Sequence, residues 1–136
     1  MVWGRHPAQL EQLRALGVDV RSDEPHLTAW ANVVVEATRN SDEVALARKL
    51  ACPRGTVVLK STYCGQTEAN FTGLVIDEVT LAGSCCRTFP PALRLLAHGP
   101  VSVSDLIEII YPLPQALAAF ERAAALGVLK LLLRMT

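Results

Sequence analysis

Apolar residues along this chain fall alternately into runs with a period near four and short unbroken blocks, the pattern of helices and strands in turn. Residues 1–4 hold an apolar fragment that stops at once. Pro7 then opens a predicted helix with Leu10, Leu13 and Leu16 on one face, and Gly17 closes it. Residues 18–20 are a short strand candidate, and the polar stretch 23–28, with Pro25, reads as loop. Val33, Val34 and Val35 form a β-branched run of the kind buried on both faces of a parallel sheet.

Ser41, Asp42 and Glu43 can cap a helix carrying Val44, Leu46, Ala47 and Leu50, which Pro53 and Gly55 should break. Residues 56–59 predict a second buried strand, and residues 74–76 and 79–82 two further ones, parted by Asp77 and Glu78. Pro90 and Pro91 start a helix through Leu93, Leu95 and Leu96 that ends at Gly99. A strand at 106–110, the longest helix from Pro114 to Leu126, a stop at Gly127 and a last strand at 128–133 complete the chain. Strand and helix alternating with short connections predict an α/β fold, a parallel sheet with helices on both faces. No repeat, low-complexity stretch or linker interrupts it, so residues 1–136 read as a single domain.

Composition narrows the function classes. Hydrophobic residues make up 51% of the chain and charged ones 19%, a globular balance that argues against disorder. Lys plus Arg and Asp plus Glu both number 13, so no basic excess points to nucleic acid or an anionic membrane. A net charge of zero also removes one barrier to self-association. The apolar stretch 113–135 is interrupted by Glu121, Arg122 and Lys130 and reads as helix then strand, not as a membrane span. The start shows no basic segment followed by an apolar run, so a cytoplasmic location is expected. Cys52, Cys64, Cys85 and Cys86 form no CxxC pair, and His6, His26 and His98 lie far apart, so no local zinc-ligand spacing is visible. Cys85 and Cys86 are expected to be buried or half-buried thiols. His98 should stabilise a helix C-terminus, and Glu121 and Arg122 should form a solvated helix face.

Several segments, in order, carry a resemblance. They are Gly4-Arg5-His6-Pro7, Val33-Val34-Val35-Glu36-Ala37-Thr38, Arg54-Gly55-Thr56-Val57-Val58-Leu59-Lys60-Ser61-Thr62 and Leu81-Ala82-Gly83-Ser84-Cys85. Pro91-Ala92-Leu93-Arg94-Leu95-Leu96, Tyr111-Pro112-Leu113, Ala119-Phe120-Glu121-Arg122-Ala123 and Leu129-Lys130 follow. Together they resemble the zinc-type alcohol, threonine and sorbitol dehydrogenases of the medium-chain dehydrogenase/reductase superfamily, from the second strand of the Rossmann domain onward. The resemblance implies a partial Rossmann-like parallel sheet whose first strand and G-x-G-x-x-G turn would precede Val2; no such glycine cluster occurs in the chain. It implies residues 127–136 as a terminal strand returning toward a catalytic domain that carries the zinc ligands, and it assigns no zinc ligand and no catalytic residue to these positions. The chemistry implied is hydride transfer between NAD(P) and an alcohol or polyol, with the isolated chain inactive and its cofactor binding weak or absent. The other class is a non-catalytic assembly or binding module that self-associates or pairs with a missing half.

The resemblance also implies site residues. Arg5, where the family meets the adenosine ribose, could pair with a 2′-phosphate and would slightly favour NADP. Ala37 and Thr38, then Lys60, Ser61 and Thr62, line the cofactor crevice, Gly83 and Ser84 lie near the carboxamide, and Lys130 reaches toward the pyrophosphate. Two positions depart from the pattern: Asn32 stands where the family has Asp, and Arg39 where it has Gly. Loss of the first strand would leave residues 33–36 with an unpaired edge, to be met by the 2–3 remnant or by another chain. The segment 70–76, through which the family dimerises, would be a second edge, so a homo-oligomer is expected.

Overall fold

The computed structural model describes residues 1–136 apart from Glu24, Pro25, residues 64–67, Arg87, Pro100, Ser102, Leu126 and Thr136. In chain order its elements are β1 (Val2–Trp3), α1 (Pro7–Ala15), β2 (Val20–Arg21), β3 (Ala31–Glu36), α2 (Glu43–Leu50) and β4 (Ala51–Leu59). There follow α3 (Phe71–Ile76), β5 (Thr80–Gly83), α4 (Phe89–Ala97), β6 (Ile107–Pro112), α5 (Ala116–Ala123) and β7 (Lys130–Arg134). The fold is Rossmann-like α/β, with parallel strands and flanking helices. Two compact units divide the chain, one of Met1–Trp3 and Arg21–Arg87, the other of Gly4–Val20 and Thr88–Thr136. Among the described residues, no helix is long and apolar enough to cross a membrane.

The first unit is built on β3-β4-β5, all parallel, with Val34 opposite Val57, Glu36 opposite Leu59, and Leu59 opposite Gly83. Side chains alternate across a strand, so Val34, Val57 and Leu59 share one face. That face is the core: Ala47 of α2 and Ala51 pack with Val57, and Val34, Leu59 and Val79 close around them. Helices α2 and α3 both line a cavity of about 390 Å³ with Val57 and Leu81, which puts both on this face. Val33 and Val35 on the other face are each 60% exposed. The valine run is therefore buried on one side only, because the described helices of this unit sit on a single face. Among the described residues β3 pairs with β4 alone; β1 pairs with β2 and does not fill the β3 edge.

Three expectations for this unit need correction. Strand β4 begins at Ala51, not at residue 56, and absorbs the expected Pro53–Gly55 break as a bulge where the register slips between Ala31–Ala51 and Val33–Thr56. Arg54 takes φ 62° there, and a Cβ on Gly55 would lie 2.7 Å from the Cys52 carbonyl oxygen and 3.0 Å from that of Asn32. Residues 74–76 are helical, within α3, because the Asn70 side chain accepts from the Gly73 N–H and starts a turn. The segment 70–76 therefore offers no strand edge. Cys85 and Cys86 are exposed, since β5 ends at Gly83 and leaves them beyond the sheet; Cys64 lies outside the described residues.

The second unit pairs β6 with β7 in parallel, Tyr111 opposite Leu133, and α5 packs on both. Pro7 sits in the first turn of α1, where a missing N–H costs nothing. Gly17, at φ 77°, ends that helix as its pattern predicts: its N–H reaches the Arg14 carbonyl at 2.9 Å and that of Val18 reaches Leu13 at 3.1 Å, a Schellman cap. The helix expected from Pro114 to Leu126 is shorter, a 3-10 turn over Leu113–Gln115 followed by α5. His98 caps α4, its Nδ1 2.7 Å from the Arg94 carbonyl oxygen.

Candidate functional site

Parallel strands bring their carboxyl ends to one edge, and ligands of open α/β sheets gather there. Since Glu36, Leu59 and Gly83 lie side by side, Ala37 and Thr38, Lys60, Ser61 and Thr62, and Gly83 and Ser84 form one rim. The ladder continues into it: the Lys60 N–H donates to the Glu36 carbonyl and the Ser84 N–H to that of Leu59, both at 2.9 Å. Ala37, Thr38, Lys60, Thr62 and Gly83 are exposed, and Ser61 and Ser84 half-buried. Arg5 and Lys130 belong to the other unit. Arg5 precedes the α1 cap residue His6, and Lys130 opens β7 opposite Ile107; both side chains are exposed.

At the centre of the rim is a residue to which the sequence reading assigned no role. Glu36, 3% exposed, has the same parity as the core residue Val34 and ends its strand with a carboxylate pointing into the buried face. Its Oε1 accepts from the Thr38 N–H and the Thr38 hydroxyl, both at 2.6 Å, and from the Ser61 hydroxyl at 3.1 Å. The Tyr63 hydroxyl donates to Oε2. Burial alone would push this carboxyl's pKa up. The bonds from Thr38, Tyr63 and Ser61 outweigh burial and hold it below the usual carboxylate range. Tyr63 moves the other way: burial, the bond to Glu36 and that residue's charge push its phenol up, and a hydrogen bond with the Ser61 side chain opposes them only in part. The parity of Glu36 behind Val34 was a legible signal; Tyr63 had none, because it meets Glu36 across the sheet.

Two further bonds tie the rim together. The Arg39 N–H donates to Ser61 Oγ at 2.9 Å and the Asn40 N–H to Thr38 Oγ1 at 3.2 Å. Arg39, where the resembled family has glycine, takes φ 60°, a conformation that glycine adopts freely. The backbone turn that glycine would favour is thus kept with an arginine in it. Among the described residues, no group of three or more His, Cys, Asp or Glu side chains could hold a metal ion.

No protein-family model matches the sequence, and no curated protein matches it significantly. Solved structures do match. The chain aligns with L-idonate 5-dehydrogenase from Escherichia coli at a TM-score of 0.86 and 22% identity, over 97% of this chain and 42% of the other. A zinc-binding dehydrogenase of Sinorhizobium meliloti, bound to NADP, gives 0.85 and 21% over 97% and 44%. An Escherichia coli alcohol dehydrogenase complexed with NADH gives 0.77 and 18% over 93% and 42%. The chain shares its fold with these dehydrogenases. The chain spans less than half the length of each of these dehydrogenases.

Proposed function

We propose that this chain is the nicotinamide-binding portion of an NAD(P)-dependent alcohol or polyol dehydrogenase, and that by itself it does not turn over substrate. The observation that carries this reading is the polar rim at the carboxyl ends of β3, β4 and β5, on a fold shared with dehydrogenases. The rim suits the nicotinamide end of a dinucleotide. Thr38, Ser61, Thr62 and Ser84 offer polar contacts to a ribose and a carboxamide, and Ala37 and Gly83 leave room for close approach. When bound, the nicotinamide would exchange a hydride with the alcohol carbon. Arg5 and Lys130 are assigned to the 2′-phosphate and the pyrophosphate on the resemblance alone, and Arg5 is the reason for favouring NADP. Lys60 adds positive charge near the rim. A cytoplasmic location fits this reading.

The pyrophosphate end is less well served, because the chain contains no G-x-G-x-x-G turn to cradle it. Calorimetric titration with NADPH and NADH should give dissociation constants no tighter than about millimolar, with NADPH ahead. A micromolar constant would overturn the assignment of weak binding. NADPH leaving the Thr38 and Ser61 amide resonances unmoved would overturn the cofactor assignment itself.

A second reading is an assembly module without chemistry of its own, favoured by the β3 edge with Val33 and Val35 exposed beside it. An unpaired strand edge recruits another strand, and residues 33–36 of a second copy are the occupant we propose. Light scattering over a wide concentration range should then show dimer or larger species; monomer throughout, with a cooperative melt, would remove this reading.

A further inference from the structure

Three hydroxyl protons, those of Thr38, Ser61 and Tyr63, are committed to one residue. Glu36 is buried, and an ionised carboxylate has lone pairs but no proton to give. Each hydroxyl bonded to it must therefore donate: Thr38 Oγ1 and Ser61 Oγ to Oε1, and the Tyr63 hydroxyl to Oε2. Thr38 Oγ1 and Ser61 Oγ also accept one backbone N–H each, from Asn40 and Arg39. A hydroxyl has one proton and two lone pairs. Thr38 and Ser61 are thus left with one lone pair apiece and no free proton. Thr38 is exposed and Ser61 half-buried, so a ligand can reach them.

We infer that Glu36 is a positioning residue that sets ligand specificity: by holding these hydroxyl protons it makes the part of the rim formed by Thr38 and Ser61 a hydrogen-bond acceptor surface. Such a surface takes groups that donate, the N–H of a carboxamide or the O–H of a polyol, and refuses a carboxylate of the same shape. Two acceptors brought face to face each lose water and gain no bond. Arg39 and Lys60 pull the other way, since both are exposed cations beside the rim. Their fields act through water and are screened there, so contact polarity decides. The inference rests on the rim being a ligand-binding edge, as proposed above, but on no particular cofactor.

Benzamide and benzoate test it, one ring bearing either a carboxamide or a carboxylate. Titrated into the isotope-labelled full chain, benzamide should shift the Thr38, Arg39 and Ser61 amide resonances and bind about tenfold tighter than benzoate. Glu36→Gln puts an N–H donor where only acceptors stood and frees a hydroxyl proton, so the preference should shrink toward unity. Thr38→Val removes one acceptor and leaves Glu36 in place with its bonds from the Thr38 N–H, Ser61 and Tyr63; it should weaken benzamide binding, which covers a Glu36→Gln chain that fails to fold. Benzoate binding as tightly as benzamide, an unchanged preference in Glu36→Gln, or no rim shift with either probe would overturn the inference. A benzamide preference in a chain whose rim ignores NADPH would sink the dinucleotide reading and uphold this one.

Discussion

The two units of this chain carry similar apolar patterns and bury them to different depths. In the unit built on β3, β4 and β5, Val57 is 1% exposed, with Ala47 of α2 and Ala51 packed on it. In the unit holding β6 and β7, Leu117 and Phe120 of α5 are 81% and 68% exposed, and no residue of α4 is buried. Hydrophobicity does not make the difference, because α4 and α5 are at least as apolar as α2. Sheet width does. Strand β4 has a parallel neighbour on each side, so α2 lies over a paired central strand and its small Ala47 comes close. Among the described residues the β6-β7 sheet of the second unit has two strands, each of them an edge, and a pair of strands alone is a poor platform. An amphipathic helix is legible in a sequence; whether it finds a surface wide enough to cover is not.

The sharpest way to break this comparison is Gly55→Ala. The added Cβ would meet two backbone oxygens, at 2.7 and 3.0 Å, and neither can move without disturbing β4. We expect a loss of roughly 3 kcal/mol or more by chemical denaturation. Gly99→Ala in the other unit meets open space and strains only a φ of 75°, so it should cost about 1 kcal/mol. Equal midpoints for the two variants would show that the bulge does not constrain β4.

Next in size is the core itself. Val57→Ala should cost about 2 kcal/mol, from lost transfer energy and the space left behind. Leu117→Ala should stay within about 0.5 kcal/mol, and thermal melts of the two variants would rank the units directly.

The carboxylates sharpen the contrast through pH. The pKa of Glu36 is depressed in the folded chain, so the stability it contributes is present above the ordinary carboxylate range. It is lost as pH falls through that range and then through the lower folded value. Acid titration of the melting midpoint should therefore be shallower in Glu36→Gln, which should itself be less stable near neutrality by about 1–2 kcal/mol. A parallel acid limb in the variant would count against the network as drawn. Glu108 of the second unit is also held below its usual range, by a hydrogen bond from Arg122 at 2.7 Å, although the Leu129 N–H adds to it and slight burial opposes it. This pair stands in water, so Glu108→Gln should leave the melting midpoint unmoved.

Much of this architecture could be read from one-dimensional pattern. The valine run made β3, Pro7 and Gly17 bracketed α1, and the strand ends that form the rim, residues 37–38, 60–62 and 83–84, followed once the strands were parallel. Each of those signals is local: a period, a fixed φ, a missing N–H. The misreadings came where a local signal was ambiguous or overruled. Residues 74–76 are three apolar residues that suit strand and helix equally, and the Asn70 cap chose helix. Pro53 and Gly55 look like a break, yet pairing on both sides of them carries the strand through as a bulge.

By itself, then, the amino-acid order determined most element types, the parallel α/β arrangement and which residues stand at the carboxyl edge, because each depends on propensity and periodicity within a few residues. Only the tertiary structure decided that Val33 and Val35 face water, that Cys85 and Cys86 lie outside the sheet, and that Tyr63 and Ser61 share a carboxylate with Thr38. Those outcomes depend on what lies across the sheet: Ser61 and Tyr63 are 25 and 27 positions from Glu36, and only strand pairing brings them within hydrogen-bonding distance.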